Sequence, residues 1–510
     1  MSSFEKIITE GYVYIDKTKH IDKLVNKGAG RYFLSRPRRF GKSLLIDTIK
    51  HAFEGNKSLF KGLHLENHWD WQTTYPVLHF SFGEGNISSP EALDEKIATF
   101  LDVYYERYNI EQSYSEISSK FSYLINTLGN KYQQVVILID EYDKPILDNI
   151  DNSDLAIAMR QRLKNFYSVI KAQDGYIKFV MLTGVSKFSK VSLFSDLNNL
   201  KDITLGVNYA DICGYTQLEI DGSFKGHLDQ GNVDRNLLKR WYNGYNFAGS
   251  EKQKVYNPFD ILLFIDEGYH YQNYWFETAT PTFLIKMIEK YRYFIPNLEN
   301  AIVGEDVLKT FDVDNMPIET LLFQTGYLTV KNTTTIGTQY AYVLTYPNLE
   351  VKASLNGALA SVATNMMVKN QHLQYIAQAL LQNDFESLFQ IFTSHFASIP
   401  NDWYRNNDIE RYEGFYASII YSFLAALGYD LIAEDVTNHG KIDLTLVMPD
   451  KVMVIEFKLQ KYGDAKDAIA QIKSRNYPQK YKMHNKPIYL IGMSFDDKQR
   501  NMADLAVERF

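Results

Sequence analysis

Three residues near the N-terminus, Gly41, Lys42 and Ser43, have the types and spacing of a phosphate-binding loop. They follow a short apolar run, Arg31 to Ser35, and they begin a segment with the apolar spacing of a helix. In such a loop the backbone N–H groups and the helix dipole hold phosphates. The lysine neutralises the β and γ oxygens, and the hydroxyl helps to hold Mg²⁺. We therefore expect Gly41, Lys42 and Ser43 to bind a nucleoside triphosphate, with Ser43 also a metal ligand.

The loop departs from the usual spelling, because Arg36 stands where the first glycine is common and Pro37 follows it. This departure predicts a stiffer turn and extra positive charge from Arg36, Arg38 and Arg39. Arg38 and Arg39 are candidates for contact with a phosphate, in this subunit or in a neighbouring one. The alternative is that Gly-Lys-Ser occurs by chance and that the basic loop is a solvated surface.

A second pair of candidates lies about a hundred residues downstream, where VVILID, residues 135–140, is followed by Glu141. An aliphatic run of this kind is typical of a strand buried on both faces. Asp140 at its end is placed to hold the magnesium shell, and Glu141 to polarise a water for attack on the γ-phosphate. Thr183 ends the next buried strand and is a candidate sensor of that phosphate. The alternative is an ordinary loop start with a structural threonine.

The last hundred residues carry a different chemistry. Asp443 lies on one predicted strand, and Glu456 and Lys458 lie two apart on the next, so their side chains share a face. Carboxylates that converge on a hard cation, with a lysine to orient water, are the parts of a metal-dependent phosphodiesterase. Glu413, on the inward stripe of the preceding helix, is a third candidate metal ligand, and Gln471 is a candidate accessory residue. The alternatives are a same-face ion pair and a surface glutamine.

The elements that position these residues predict an α/β protein. Residues 1–210 alternate strands and helices, as in a P-loop domain with a mainly parallel sheet. Residues 211–350 are mostly helical and end in a helix and a β-hairpin that resemble a winged helix. Residues 351–408 are predicted to be a helical connector with a polar junction at 401–408. Residues 409–510 are predicted to fold as helix, three strands, helix and strand, like a restriction endonuclease.

Length and composition limit the classes of protein to which this chain can belong. A chain of 510 residues predicts two to four domains. The single cysteine, Cys213, excludes an intrachain disulfide framework and a cysteine-rich zinc module. No apolar run is long enough to cross a membrane, and the N-terminus lacks a signal-peptide core, so we expect a cytoplasmic protein without a membrane partner. The net charge of −7 argues mildly against a protein whose surface is largely devoted to binding nucleic acid.

Several stretches together resemble bacterial AAA-ATPase-like proteins that end in a PD-(D/E)XK nuclease superfamily domain. The resemblance covers nearly the whole chain, and RPRRFGKS is similar to the form that the P-loop takes in that family. It implies ATP and Mg²⁺ as cofactors, with Mn²⁺ as an alternative at the nuclease site, nucleic acid as partner with DNA favoured, and copies that can form a homo-oligomer. The superfamily's acid, motif aspartate, E-x-K pair and glutamine match Glu413, Asp443, Glu456 with Lys458, and Gln471. The stretches are YVYIDKTKHIDKLVNKGAGRYFLSRPRRFGKSLL, VVILIDEYDKPI, LTGVSKFSKVSLFSDLNNLKDIT, WYNGYNF and VYNPF.

These observations predict an ATP-binding and ATP-hydrolysing protein coupled to a Mg²⁺-dependent nuclease domain. A role in defence or in handling mobile DNA is an analogy with other such proteins. The alternative is a nucleotide-dependent switch or scaffold whose nuclease-fold domain binds nucleic acid or protein without cleavage.

Overall fold

A computed structural model gives the architecture of the chain. It describes residues 3–26, 30–111, 114–187, 199–249, 254–276, 288, 293–309, 317–360, 366–399 and 413–510. The predicted junction at 401–408 lies outside the described residues. No helix in the described part of the chain is long and apolar enough to cross a membrane.

The chain forms two compact units, each built from two segments. The first unit comprises Met1–Trp275 and Ile302–Pro347, and the second comprises Phe276–Ala301 and Asn348–Phe510. The predicted boundaries at 210, 350 and 408 stay predictions.

The first unit contains a parallel five-stranded sheet, and its strands run in the order β2-β3-β4-β1-β5. Burial on both faces explains why the strands are almost continuously apolar. The sequence prediction of a mainly parallel α/β domain is confirmed. The strands are β1 (Arg31–Ser35), β2 (Val77–Ser81), β3 (Val135–Asp140), β4 (Ile177–Gly184) and β5 (Lys201–Asp202).

Helices cover both faces of this sheet. On one face Ile46, Ile49 and Phe53 of α3 belong to the same buried cluster as Leu138 and Met181 of the sheet. On the other face α4, α5 and α7 pack, and Phe80 of β2 contacts the rings of Phe121 and Phe166 with centroids 5.4 Å apart in both pairs. The helices are α1 (Phe4–Thr9), α2 (Thr18–Asn26), α3 (Lys42–Phe53), α4 (Pro90–Tyr108), α5 (Ile117–Tyr132), α6 (Lys144–Leu147) and α7 (Ser153–Ala172).

The rest of the first unit is helical with two small sheets, in the orders β6-β8-β7 and β10-β11-β9. The predicted helix end followed by a β-hairpin is confirmed, because α13 leads into the antiparallel pair β10 and β11. The elements are β6 (Tyr215–Thr216), α8 (Gln217–Ser223), α9 (Lys225–Gln230), α10 (Arg235–Tyr242), β7 (Asn243–Tyr245), β8 (Val255–Tyr256), α11 (Pro258–Asp266), β9 (Ala301–Gly304), α12 (Glu305–Lys309), α13 (Ile318–Thr325), β10 (Thr329–Ile336) and β11 (Gln339–Thr345).

The second unit contains a mixed five-stranded sheet in the order β12-β13-β14-β15-β16, in which only β14 and β15 run parallel. The predicted order of helix, three strands, helix and strand is confirmed, and a further strand, β16, follows it. The elements are α14 (Leu349–Ala360), α15 (Met366–Gln382), α16 (Phe385–Ala397), α17 (Glu413–Ala426), β12 (Asp430–Thr437), β13 (Gly440–Val447), β14 (Val452–Leu459), α18 (Ala465–Ser474), β15 (Ile488–Asp496) and β16 (Asn501–Arg509).

Two helices sandwich this second sheet. On one face Ile469 and Ile472 of α18 share a buried cluster with Val454 of β14. On the other face Tyr416 of α17 stacks on Phe495 of β15, with ring centroids 4.6 Å apart. The strand residues between these two layers are therefore held from both sides.

Candidate functional sites

The candidate phosphate-binding loop joins β1 to α3. Gly41, the residue before the helix, has φ +91°, a left-handed conformation that favours glycine. The Lys42 ammonium donates to the carbonyl oxygens of Arg36 and Pro37, both at 2.9 Å. Lys42 is thereby folded back across its own loop, and only 6% of it is exposed. Ser43 follows in the first turn of α3, half-buried.

Arg36 keeps its positive charge, but its side chain is buried within the fold and is not exposed in the loop. Its side chain is 1% exposed and donates to the carbonyl oxygens of Ser35 and Thr204, each at 2.8 Å, and of Tyr209 at 3.0 Å. The guanidinium carbon lies 3.8 Å from the centre of the Phe247 ring. Burial lowers the pKa of Arg36 to about 10. The arginine therefore takes a structural place that the sequence alone does not reveal.

Arg38 and Arg39 are exposed, as a contact with a phosphate requires. The Arg39 guanidinium lies 4.5 Å from the centre of the Phe259 ring. The backbone carbonyl of Arg38 accepts a hydrogen bond from Trp275 Nε1 at 3.1 Å. Their role toward a phosphate stays a prediction.

Replacing Arg36 with the glycine that is usual at this position is expected to destabilise the protein. Arg36→Gly removes three charge-assisted hydrogen bonds and a ring contact, which corresponds to a loss of about 3 kcal/mol or more in the free energy of unfolding. We expect a lower melting temperature by calorimetry and no gain in ATP affinity. Arg38→Gly, at an exposed position, is the matched control. An unchanged melting temperature for Arg36→Gly would contradict the structural role of this arginine.

Asp140, the last residue of β3, and Glu141, which follows it, lie near enough to the loop for their charges to raise the pKa of Lys42 against the effect of burial. Asp140 is 3% exposed, and its Oδ1 accepts from Thr183 Oγ1 at 2.5 Å and from the Glu141 backbone N–H at 3.0 Å. Thr183 thus joins the end of β4 to the candidate magnesium-holding acid. Glu141 is half-buried with φ +52°. Burial and the Asp140 charge raise its pKa, while Lys42 opposes the shift.

Asp143 is a site residue that the sequence analysis missed. It is 1% exposed and accepts from the backbone N–H groups of Val185 at 3.0 Å and Ser186 at 2.6 Å, and from Ser186 Oγ at 2.6 Å. Burial raises its pKa, and Lys42 lowers it. A Cβ on Gly184 would lie 2.5 Å from its carboxylate. The signal was present, since Asp143 is the third acid of the same DEYD stretch.

At the C-terminal site, Asp443 occupies a fork between two strands. The pairing of β13 with β14 reaches Leu444↔Ile455 and goes no further. At the next position the Asp443 carboxylate turns inward, and its Oδ2 accepts from the backbone N–H of Phe457 at 2.8 Å. Since the side chain replaces a strand-to-strand hydrogen bond, the position of Asp443 is set by the backbone of both strands.

Glu456 is the most buried acid of this site, with 1% of the residue exposed. Its Oε2 accepts from Gln471 Nε2 at 2.9 Å, and its carboxyl group also lies within hydrogen-bonding reach of the Asp443 carboxyl group. Burial, and then the neighbouring Asp443, raise the pKa of Glu456 to about 9. Burial also raises the pKa of Asp443. Gln471 therefore faces the acid pair rather than standing alone on the helix surface.

Glu413 begins α17, and its Oε2 accepts from the backbone N–H of Leu459 at 3.2 Å. Burial and Asp443 raise the pKa of Glu413. Lys458 is half-exposed, and its charge lowers the pKa of all three acids. Glu413 and Asp443 line one cavity of about 120 Å³, whose other walls are Phe294, Pro296, Gly414, Ala417, Tyr421, Glu434, Leu444 and Phe457.

Glu434 is a second residue that the sequence analysis missed. It stands opposite Asp443 between two ladder pairs of β12 and β13, and its φ of +49° breaks the regular strand there. It forms an ion pair with Lys441 at 3.0 Å and raises the pKa of Asp443. The signal was its position in LIAEDVT, one strand before the motif aspartate.

The donor set fits a divalent cation in part. In the described part of the chain, no group of three or more His, Cys, Asp or Glu side chains is placed to hold a metal. Mg²⁺, however, keeps several waters and uses one or two carboxylates. Asp443 and Glu456 supply such a pair, and no N–H group of the described residues donates to Glu456 Oε1, which leaves that oxygen for a cation. Glu413 as a third ligand stays a prediction, as do Ser43 and Asp140 as ligands near the loop.

The raised pKa of Glu456 predicts how stability depends on pH. Glutamate in an unfolded chain has a pKa of about 4.3, and folding raises that of Glu456 to about 9. The protonated form is favoured in the fold, so this contribution to stability is complete below about pH 4 and is lost as pH rises towards 9. We expect the free energy of unfolding of the metal-free protein to decrease over that range, and Glu456→Gln to remove most of the decrease.

Urea denaturation at a series of pH values in EDTA measures this dependence, with Glu508→Gln, an exposed acid, as the control. Added Mg²⁺ should stabilise the wild type more at high pH than at low pH, because a metal ligand must be deprotonated. Parallel pH profiles for wild type and Glu456→Gln would contradict the assignment.

Comparison with known proteins gives the family. Residues 1–194 match the family described as "Predicted AAA-ATPase", and residues 411–505 match the PD-(D/E)XK nuclease superfamily. A protein of Azotobacter chroococcum mcd 1, described as an uncharacterized protein in the vnfD 5' region, is 45% identical over 515 residues, covering 100% of this chain and 98% of that protein. No solved structure matches the chain. The chain therefore belongs to the family of AAA-ATPase-like proteins that carry a C-terminal PD-(D/E)XK nuclease superfamily domain.

Proposed function

We propose that this protein binds and hydrolyses ATP, and that its nucleotide state controls a Mg²⁺-dependent nuclease domain acting on nucleic acid, with DNA favoured over RNA. The observation that supports it most is the pair of half-buried Asp443 and buried Glu456 at the strand fork, with Lys458 on the same face as Glu456. Neighbouring carboxyl groups with raised pKa values are costly for stability and cluster at functional sites.

In the nucleotide site, each residue has a task that its position permits. Lys42 releases the two loop carbonyls and neutralises phosphate oxygens, and Ser43 and Asp140 hold the metal. Thr183, bonded to Asp140, reports whether the γ-phosphate is present. Glu141, whose pKa is raised by burial, accepts a proton from the attacking water.

In the nuclease site, Asp443 and Glu456 would hold the cation, and the cation would supply stabilisation of the charge that develops on the phosphate. Gln471 fixes the carboxylate of Glu456 by its hydrogen bond at 2.9 Å. Lys458 orients the attacking water, since its ammonium lies near enough to Glu413, Asp443 and Glu456 to lower the pKa of all three. Glu413 holds the end of β14 through Leu459 and adds negative charge beside Asp443.

The path of the chain supports a coupling between the two halves. The segment 293–301, which belongs to the second unit, continues directly into the first unit at Ile302. Phe294 of this segment lines the same cavity as Glu413 and Asp443. The covalent connection between the two units at residues 301 and 302 is therefore only seven residues along the chain from a wall of the nuclease cavity.

The same segment is anchored to α17. The backbone N–H of Ile295 donates to Ser418 Oγ at 3.3 Å, and the Glu299 carboxylate accepts from Tyr421 Oη at 2.6 Å and from the Lys352 ammonium. These contacts lie beside the helix that carries Glu413, so a shift of the segment would reach this acid.

Cleavage of labelled single-stranded and double-stranded DNA and RNA, with Mg²⁺ or Mn²⁺ and with or without ATP, tests the proposal. Wild type should cut at least one of these substrates in the presence of metal, and Lys42→Ala should cut it without responding to ATP. Lys57→Ala, at an exposed position downstream of α3, is the control for loss of a lysine. No cleavage under any condition, with ATP still hydrolysed, would reject the nuclease and favour a nucleotide-dependent binding switch.

A further inference from the structure

A row of three polar residues crosses the second sheet beside the acid pair. The ladder pairs Lys458 of β14 with Ser494 of β15, and Ser494 with Asp504 of β16. Directly paired residues on adjacent strands point to the same face and lie about 5 Å apart. Lys458, Ser494 and Asp504 therefore form a continuous polar row on the face that carries Glu456.

Ser494 is the unusual member of this row. It is 1% exposed, and its hydroxyl has no hydrogen-bond partner among the described residues. A buried hydroxyl without a partner costs about 1 to 3 kcal/mol. An alanine at position 494 would avoid that cost. We therefore expect the hydroxyl to have a hydrogen-bond partner when the site is active.

The helix α18 covers this face of the sheet and keeps the Ser494 hydroxyl away from bulk water. In the neighbouring row Glu456 is paired with Gly492. A Cβ on Gly492 would lie 2.0 Å from the carbonyl oxygen of Ala465, the first residue of α18. The helix α18 thus lies directly on β15 at the position two residues before Ser494.

The two neighbours of Ser494 along the row offer complementary groups. Lys458 has a half-exposed side chain that ends in three N–H donors, and Asp504 is exposed, with Oδ1 accepting from the backbone N–H of Leu505 at 2.9 Å. A serine hydroxyl accepts two hydrogen bonds and donates one. Ser494 can therefore accept from the ammonium while it donates to the carboxylate.

We propose that Ser494 is a positioning residue for Lys458, holding its ammonium beside the acid pair, with Asp504 as the acceptor for the serine proton. This role rests on the nuclease function proposed above. Without the hydroxyl, the lysine side chain keeps its stem in place but samples more orientations, so fewer molecules are ready to react when substrate binds.

Steady-state cleavage of the best nucleic-acid substrate by Ser494→Ala tests this role. We expect kcat to decrease by about 10- to 100-fold, as for other residues that orient a functional side chain, with KM within about twofold of wild type. Ser494→Thr, which keeps the hydroxyl, should recover most of kcat. Ser422→Ala, which removes a buried hydroxyl bonded to the Ser418 carbonyl at 2.8 Å, controls for general loss of packing and should match wild type.

A second measurement does not need cleavage. The rate at which an amine-reactive reagent labels Lys458, followed by mass spectrometry on the metal-free full chain at one pH, reports how firmly the ammonium is held. Labelling should be at least twofold faster in Ser494→Ala than in wild type and in Ser422→Ala. If the wild type cleaves nothing, the nuclease function fails while the labelling still decides the contact. Equal labelling rates in wild type and Ser494→Ala would overturn the proposal, as would an unchanged kcat in a protein that cleaves.

Discussion

Replacing Glu141 with glutamine is expected to reduce ATP turnover by about 10²- to 10⁴-fold, the range for loss of a general base. Glutamine keeps the size of the side chain but cannot accept a proton. The neighbouring Asp140 and Lys42 keep their contacts with Thr183 and with the loop carbonyls. Nucleotide binding should therefore persist with a dissociation constant within a few-fold of wild type. The variant should accumulate in the ATP-bound state.

Phosphate release measures turnover, and equilibrium binding of a fluorescent ATP analogue measures affinity, on the same preparations. Asp148→Asn removes a carboxylate seven residues downstream, where it pairs with Lys144, and is the matched control. If Glu141→Gln hydrolyses ATP like the wild type, Glu141 is not the base. If the wild type binds ATP without turnover, the first unit is a switch that responds to binding alone.

The candidate nucleotide site could be predicted from the sequence because its residues lie in contiguous stretches. The strands at 31–35 and 135–140 have the predicted bounds, and a helix begins at Lys42 as predicted. What the sequence cannot show is the environment of a side chain. The charge of Arg36 can be read from the sequence, but its burial against Phe247 and three backbone carbonyls cannot.

The candidate nuclease site could be predicted in part. Asp443 lies on one strand, and Glu456 and Lys458 lie on the adjacent strand, as the alternation of residues predicts. The splitting of β13 from β14 depends on hydrogen bonds between strands, which no local pattern encodes. The strand β16 was missed because its residues 501–509 are mostly half-buried or exposed, which weakens the hydrophobic alternation. Glu434 was missed because its proximity to Asp443 depends on the ladder register.

Asp443→Asn is expected to abolish metal-dependent cleavage, with a decrease in kcat of about a thousandfold or more. The metal supplies several kcal/mol of charge stabilisation, and each 1.36 kcal/mol corresponds to a factor of ten in rate. Asparagine still accepts the Phe457 N–H through its carbonyl oxygen, so the strand fork should keep its geometry. The stability of the metal-free protein should not fall, because the variant removes one of two neighbouring carboxylates whose pKa values are raised.

Cleavage and ATP hydrolysis on the same preparation separate this effect from misfolding. Asp450→Asn changes an exposed acid in the turn of the same hairpin and should leave both activities at the wild-type level. Asp443→Asn should lose cleavage, retain ATP hydrolysis and lose the stabilisation by Mg²⁺ that the wild type shows. Retained cleavage would place the catalytic metal elsewhere. Retained Mg²⁺ stabilisation without cleavage would show that Glu456 and other groups hold the cation, and that Asp443 acts on the substrate or water instead.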